Sequence, residues 1–284
     1  MRFHIVDCFA EQKYQGNQLA VFIPDYKISA GEMQQIAKEM GFSETSFILS
    51  DKQENGGYNV RIFTPDVEVP FAGHPTIGTA YIIHKIIEKG KTDKVILNLK
   101  AGAIPVTIDN ENLIMTQNEP EFGETFDKKT LAEVISINES DIRTDYPIQW
   151  VSTGLEAIIV PLKSVDAIEK CRVNHISFQN FIDNYYRCNI LVFAEDYQDL
   201  RVRVFMDDTG FLEDPATGSA NGNLAGYLLK HNYFNKHNIQ YRVSQGSEMG
   251  RPSVLDIEGE LVDGKFTILV GGKAIIVAEG NWNY

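Results

Sequence analysis

The feature that most constrains this chain is an internal echo. Gly73-His-Pro-Thr-Ile-Gly-Thr-Ala-Tyr-Ile-Ile-His-Lys85 and Gly218-Ser-Ala-Asn-Gly-Asn-Leu-Ala-Gly-Tyr-Leu-Leu-Lys230 each run from a glycine through an apolar segment to a lysine, at a constant offset of 145 residues (Gly73 to Gly218, Lys85 to Lys230). Strands of related spelling, Arg61-Ile-Phe and Arg203-Val-Phe, precede them, although the second connection is three residues longer. Both segments predict helices with little charge on any face. A helix apolar all round must be buried, and its small residues let neighbouring strands come close. The pattern predicts an α+β protein of two pseudo-symmetric lobes. Each would be a curved, mostly antiparallel sheet wrapped around a central helix, with the active site in the cleft between them. The plainer alternative is a chance match of two glycine-started buried helices.

A length of 284 residues suits two domains at about 150 residues each. The most loop-like and acidic stretch is Asn118 to Lys128, which sets an N-terminal lobe over 1–118 and a C-terminal lobe over 119–271. The strand Ala274 to Ala278 is a candidate to return to the first lobe, which would add 272–284 to it. β-Branched and aromatic runs with Gly, Asn or Pro flanks predict further strands at 19–23, 58–63, 95–99, 104–108, 157–160, 190–193, 202–205, 240–243 and 266–270. Ser29-Ala-Gly-Glu32 has the capping-box pattern; Met33, Ile36, Ala37 and Met40 follow at helical spacing, and Gly41 supplies the stop. A weaker copy, Thr130-Leu-Ala-Glu133, predicts the start of another helix.

A net charge of −13 repels phosphate backbones and anionic lipid, so nucleic acid and membrane surfaces are excluded as general partners. The longest apolar runs, such as Ile190 to Ala194, fall far short of the ~18 residues of a membrane span, and Asp7 interrupts the N-terminus before a signal-type stretch builds. The three cysteines, Cys8, Cys171 and Cys188, are widely spaced, and the six histidines show no H-x-x-x-H pairing, so neither a disulfide framework nor a metal site is expected. These features predict a cytoplasmic protein.

Two turns could carry chemistry. Phe71-Ala-Gly-His-Pro75 and Asp214-Pro-Ala-Thr-Gly-Ser-Ala220 each place glycine-containing backbone at a helix N-terminus, where amides lack intrahelical partners and the helix dipole is positive. Facing each other, they would cradle a small carboxylate or a developing oxyanion. His74 lies in the first turn and Asp214 opens the second. Glu44 enters an apolar strand directly after the capped helix; enclosed by Phe42, Phe47 and Ile48 it would be desolvated and its pKa raised, as a general base near neutrality requires. Taken singly, each has a plainer structural reading: Glu44 at a loop tip, Asp214 as a helix cap, His74 as a satisfied turn residue.

Together these strings resemble a known family. Asp7-x-Phe with Gly16-Asn-Gln-Leu-Ala-Val-Phe, Ser43-Glu-Thr-Ser-Phe, Glu68-Val-Pro-Phe-Ala-Gly-His-Pro-Thr-Ile-Gly-Thr-Ala, Glu213-Asp-Pro-Ala-Thr-Gly-Ser-Ala, and Gln245-Gly with Gly250-Arg-Pro are similar, in this order, to the PhzF-like family of phenazine biosynthesis. The one departure is Asn17-Gln where Asn-Pro is commoner. The resemblance implies the fold of diaminopimelate epimerase and proline racemase. It implies Glu44 as the catalytic acid/base, with His74, Asp214 and Ser219 as its active-site partners and the amides around Gly73 and Gly218 holding a small carboxylate substrate. It further implies no cofactor and a homodimer.

The branches of that superfamily differ in their acid/base groups. Inversion at a stereocentre takes a base and an acid on opposite faces, supplied in the epimerases by a cysteine in each glycine turn. Here those turns read Ala72-Gly-His and Thr217-Gly-Ser. A single carboxylate can instead move a proton between two carbons on one face, a 1,3 shift, and Glu44 with His74 meets that need. A non-catalytic anion-binding protein and an epimerase using Glu44 and Asp214 as opposed bases remain the alternatives. The substrate's identity lies beyond these motifs.

Overall fold

Ser29 opens the first helix, α1 (Ala30–Met40), by accepting a hydrogen bond from the Glu32 amide at 3.2 Å, and Gly41, left-handed at φ 65°, closes it. Only half of the expected box forms, because the Glu32 carboxylate takes the Tyr26 hydroxyl at 2.7 Å. Met33, Ile36 and Ala37 are buried with Ala20, Phe22, Phe47 and Phe63 in one apolar cluster. Each large side chain withdrawn from water there contributes about 1.5–3 kcal/mol.

The computed structural model describes residues 1–185, 188–208 and 211–283. The chain divides into two compact units, Met1–Thr116 with Gly271–Tyr284, and Gln117–Val270. The first holds β1 (Arg2–Cys8), β2 (Asn17–Ile23), α1, β3 (Glu44–Ile48), β4 (Tyr58–Phe63), β5 (Glu68–Val69), α2 (Gly73–Ile82), β6 (Lys94–Leu99), β7 (Gly102–Asp109) and β8 (Asn112–Thr116), and the C-terminal strand Ala274–Asn281. From β1 the ladder runs antiparallel to β2, parallel to β3, antiparallel to β4, parallel to β6, and antiparallel to β7 and then β8. The C-terminal strand pairs antiparallel with the other side of β1.

The second unit holds β9 (Glu121–Phe126), α3 (Lys128–Val134), β10 (Ile148–Ser152), β11 (Glu156–Pro161), α4 (Val165–Lys170), α5 (His175–Asn184), β12 (Asn189–Asp196), β13 (Asp199–Asp208), β14 (Phe211–Asp214), α6 (Gly218–Lys230), β15 (Asn238–Gln245), β16 (Ser253–Val262) and β17 (Lys265–Gly272), whose last residues belong to the first unit. Its ladder from β10 repeats the same order: antiparallel to β11, parallel to β12, antiparallel to β13, parallel to β15, antiparallel to β16. The result is a mixed protein with mostly antiparallel pairing and few helices. Among the described residues no helix is long and apolar enough to cross a membrane.

One helix in each unit is swallowed by strands. α2 packs on β1, β2, β3, β6, β7, β8 and the C-terminal strand, and α6 on β10, β11, β12, β15 and β16. All of α6 but its terminal lysine is buried. The small residues are what allow this closeness. A Cβ added at Gly78 would lie 2.6 Å from both Cys8 Sγ and Leu19 Cδ2, and one at Gly226 would lie 2.8 Å from Pro120 Cβ.

Two expectations need correction. The acidic stretch Asn118 to Lys128 is not all loop, since β9 occupies 121–126 and pairs with β10. Phe122 and Phe126 are half-buried among exposed residues, and pairing with β10 outweighs the acidic composition. The helix expected to begin at Thr130 begins at Lys128, because the Asp127 carboxylate accepts from both the Thr130 amide (2.9 Å) and its hydroxyl (2.7 Å), satisfying the orphan amide from an earlier position.

Candidate active site

Glu44 is the first residue of β3 and pairs in register with Leu19 of the parallel strand β2. Gly41 fixes where α1 stops, and so where β3 starts. Because side chains alternate along a strand, Thr45 and Phe47 leave Glu44's face, and Phe47 goes into the cluster against α1 together with the half-buried Phe42. Glu44 is therefore not enclosed by Phe42 and Phe47 as its sequence suggests. It turns to the opposite face, where its Oε2 lies 3.5 Å from His74 Nε2, with 19% of the Glu44 side chain and 5% of the His74 side chain exposed.

His74 occupies the first turn of α2 and is oriented from behind. The side-chain amide of Asn17, the first residue of β2, lies 3.1 Å from His74 Nδ1. An NH₂ group can only donate, so Nδ1 accepts and the neutral ring carries its proton on Nε2, facing Glu44. Asn17 is reached through a loop that Asp7 ties by accepting from the Tyr14 amide at 2.6 Å. That loop closes at Gly16, whose φ is 70° and where a Cβ would fall 2.2 Å from the Cys8 carbonyl oxygen. Glycine is required there.

The N-terminus of α2 has no side-chain cap: Ala72 precedes it, and Pro75 has no N–H to offer. The Gly73 and His74 amides consequently end a buried helix with its positive dipole end beside Glu44 and His74.

The second unit holds the other predicted residues, Asp214, Gly218 and Ser219. Thr217, preceding α6, makes no side-chain cap, and its hydroxyl instead donates to Asp214 Oδ2 at 2.5 Å. Asp214 and Ser219 are buried. A fully buried Gln245 at the end of β15 clamps this turn: its Nε2 donates to the Asp214 carbonyl (2.7 Å) and the Thr217 hydroxyl (3.0 Å), while its Oε1 accepts from the Thr217 amide (3.3 Å) and from Asn221 Nδ2 (2.9 Å). Gly246, at φ 78°, follows so tightly that a Cβ would meet the Arg251 and Pro215 carbonyl oxygens at 2.4 and 2.6 Å.

Both turns are anchored upstream in the same way. Arg61 makes two bonds to Glu68, at 2.8 and 2.7 Å, with its guanidinium 5.1 Å over Phe63. Arg203 makes two to Glu213, also at 2.8 and 2.7 Å, and lies 4.9 Å over Phe205. The Arg61 guanidinium holds the Glu68 carboxyl below its ordinary range.

The structure thus brings Glu44, Gly73 and His74 together in the first unit, and Asp214, Gly218 and Ser219 together in the second. Sequence reasoning assigned no role to Asn17, Thr217 or Gln245, although each stands inside a string singled out there. The thiols are remote from this chemistry in character: Cys8 is entirely buried against Gly78 and its pKa is pushed up by desolvation, and burial raises Cys171 and Cys188 to about 12.

Comparison with known proteins places this geometry. The profile of a family described as phenazine biosynthesis-like protein matches residues 6–280. An uncharacterized isomerase of Clostridium acetobutylicum is 33% identical, over 96% of this chain and 94% of that protein. The trans-2,3-dihydro-3-hydroxyanthranilate isomerase of Pseudomonas aeruginosa is 32% identical, over 98% of each. The crystal structure of a phenazine biosynthesis protein of the PhzF family from Bacillus anthracis superposes with a TM-score of 0.88 at 28% identity, covering 99% of this chain and 98% of that one. A probable proline racemase from Agrobacterium radiobacter shares the fold alone, with a TM-score of 0.65 at 12% identity, covering 99% and 92%.

Proposed function

Because the chain belongs to the phenazine biosynthesis-like family and is an isomerase, we propose that it moves a proton between two carbons of a small unsaturated carboxylate, without a cofactor. One observation carries this reading: Glu44 and His74 stand 3.5 Å apart at the uncapped N-terminus of a buried helix. In the proposed reaction the Glu44 carboxylate takes a proton from one carbon, and the electron pair spreads over the adjacent double bond. The resulting acid returns the proton to the carbon at the other end of the allylic system, on the same face. Substrate and product have one formula, so no oxidant or group donor is needed. The His74 Nε2–H and the Gly73 and His74 amides supply hydrogen bonds that strengthen as charge delocalises, where electrostatic preorganisation acts most strongly.

The same reading gives Asp214, Gly218 and Ser219 a part in holding the substrate, as the resemblance implies and as the chemical likeness of the two uncapped turns supports. A two-thiol inversion is disfavoured because the glycine turns, Ala72-Gly-His and Thr217-Gly-Ser, carry no cysteine, and Cys8 and Cys171 are fully buried. We further place the protein in the cytoplasm as a homodimer, an assembly that sedimentation equilibrium at micromolar concentration tests.

The test is proton NMR of wild type and Glu44→Gln in D₂O with a panel of cyclic and acyclic unsaturated carboxylates. The panel includes trans-2,3-dihydro-3-hydroxyanthranilate, the compound in the Pseudomonas relative's name. Deuterium uptake by wild type, lowered at least ~10²–10⁴-fold in the variant, supports the proposal. Binding without exchange in either protein favours a non-catalytic anion-binding role, and full exchange by Glu44→Gln rejects Glu44 as the base.

A further inference from the structure

The first unit has a concavity at the end of α2 remote from His74. It encloses about 320 Å³ and is lined by neither Glu44 nor His74. That volume lies at the lower end of the range that takes small organic ligands, about 300–1,000 Å³. Here α2 gives way to a π-helical turn, Ile83–Ile87, a distortion that recurs at functional positions in helices. The turn and the helix end contribute Tyr81, His84 and Lys85; Glu11 comes from the β1–β2 loop, Glu111 from the β7–β8 turn, and Lys273 from the residue before the C-terminal strand.

The charges on this wall are paired on one side and open on the other. Lys273 Nζ lies 3.1 Å from a Glu11 carboxylate oxygen and 3.9 Å from one of Glu111. Among the described residues Lys85 makes no ion pair, and its side chain is exposed. His84 Nδ1 lies 2.7 Å from the Thr92 carbonyl, so Nδ1 carries the proton and Nε2 of the neutral ring is an acceptor. Burial and the nearby Glu111 push the Tyr81 phenol up, which keeps it a donor at neutral pH. Leu113 and Ile275 give the cavity an apolar patch. The Lys85 ammonium and the Tyr81 hydroxyl thus share this small wall with the His84 acceptor and with two carboxylates that meet Lys273, closely at Glu11 and loosely at the mostly exposed Glu111.

We propose that this cavity binds a small zwitterion, an α-amino acid, with its carboxylate on Lys85 and Tyr81, its ammonium on His84 and on Glu111, whose contact with Lys273 is the looser of the two, and its side chain over the apolar patch. The occupant is positioned to act on the site around His74 by two routes. About two helical turns of α2 lead from Tyr81 back to His74. The Lys273 carbonyl also accepts from the Phe9 and Ala10 amides, at 2.7 and 3.3 Å, in the loop that ends at Gly16 and Asn17, the partner of His74 Nδ1. The binding claim is independent of which substrate Glu44 serves.

The experiment is two-dimensional amide NMR of the whole chain, titrated with each of the twenty L-amino acids. For any that binds, the matching amine without the carboxylate and the acid without the ammonium are titrated as well. We expect at least one amino acid to shift the Tyr81, Lys85 and Ala274 amides saturably. The one-charge analogues should bind at least tenfold more weakly, and Lys85→Glu and Glu111→Lys should each weaken binding at least tenfold without loss of the folded spectrum. The proposal is overturned if no amino acid moves those amides, or if either single-charge analogue binds as well. It also fails if Lys85→Glu binds normally, or if the shifts are confined to Gly73–Thr76, which would make the ligand an occupant of the Glu44 site.

Discussion

Replacing Gln245 by leucine removes the clamp on the second turn while nearly keeping its volume. Four hydrogen bonds are lost from a side chain with no exposed surface. The Thr217 N–H loses its acceptor, and a buried donor stranded in this way costs about 1–3 kcal/mol. The Asp214 carbonyl and the Asn221 amide each lose one bond, at about 0.5–1.5 kcal/mol apiece. The apolar leucine recovers part of this, leaving a net loss of about 3 kcal/mol. With a urea m-value of ~1–3 kcal/mol/M, the midpoint should fall by about 1–3 M. Gln245→Glu provides a sharper signature. Its carboxylate can still accept from Thr217 and Asn221 but faces the Asp214 carbonyl with no proton to give. Its pKa is raised in the folded state, so its deficit is largest at neutral pH and shrinks as the pH falls toward 5 and the acid regains a donor. A loss below ~1 kcal/mol for leucine, or a glutamate deficit that grows on acidification, would refute the reasoning.

Other sites give separable outcomes. Arg203→Met leaves the Glu213 carboxylate without its guanidinium and takes one of two donors from each of the Ile168 and Cys171 carbonyls, which Arg203 holds at 3.0 and 2.8 Å, and should cost about 3–5 kcal/mol; Arg61→Met, at a more exposed pair, should cost roughly a third of that, both read by urea unfolding. Gly78→Ala should destabilise by about 1–3 kcal/mol because its methyl would press on Cys8 and Leu19, whereas Gly31→Ala, with nothing within 4 Å, should stabilise α1 by about 0.5–1 kcal/mol. Burial lowers His4 and His231 from the ordinary 6.5, so both stay neutral in the folded state while the unfolded chain takes up protons below that pH. Their contribution is complete above pH 6.5 and is lost as the pH falls toward their folded values. A His4→Gln, His231→Gln variant should show a shallower fall in urea midpoint from pH 7 to 5, and an unchanged slope would contradict this.

What was legible in the sequence was what local chemistry decides. Ser29 and Gly41 bound α1 as their residue types demand, and Gly218 to Lys230 is helical over its whole length because an apolar, small-residue segment has no other way to pack inside a sheet. Every expected strand is present. α5 escaped notice because Ser177, Asn180 and Phe181 are weak helix formers held by tertiary packing, and β16 because Gly259 and its acidic residues dilute the β signal. At the site, Glu44 and His74 could be singled out from their strings, but the surroundings of Glu44 could not: strand alternation carries Phe47 to the opposite face. The bond from Asn17 to His74 spans 57 positions, and the Gln245 clamp 24 to 31. No local pattern encodes such contacts.

The central claim is that one carboxylate, Glu44, both removes and returns the proton. It is tested most directly with a substrate found by the D₂O panel, deuterated at the donor carbon and turned over in H₂O. The account predicts that part of the deuterium reappears on the acceptor carbon, on the same face, and that Glu44→Gln abolishes the transfer. A solvent proton on the opposite face of the original carbon, with the double bond unmoved, would contradict it and point to two opposed bases.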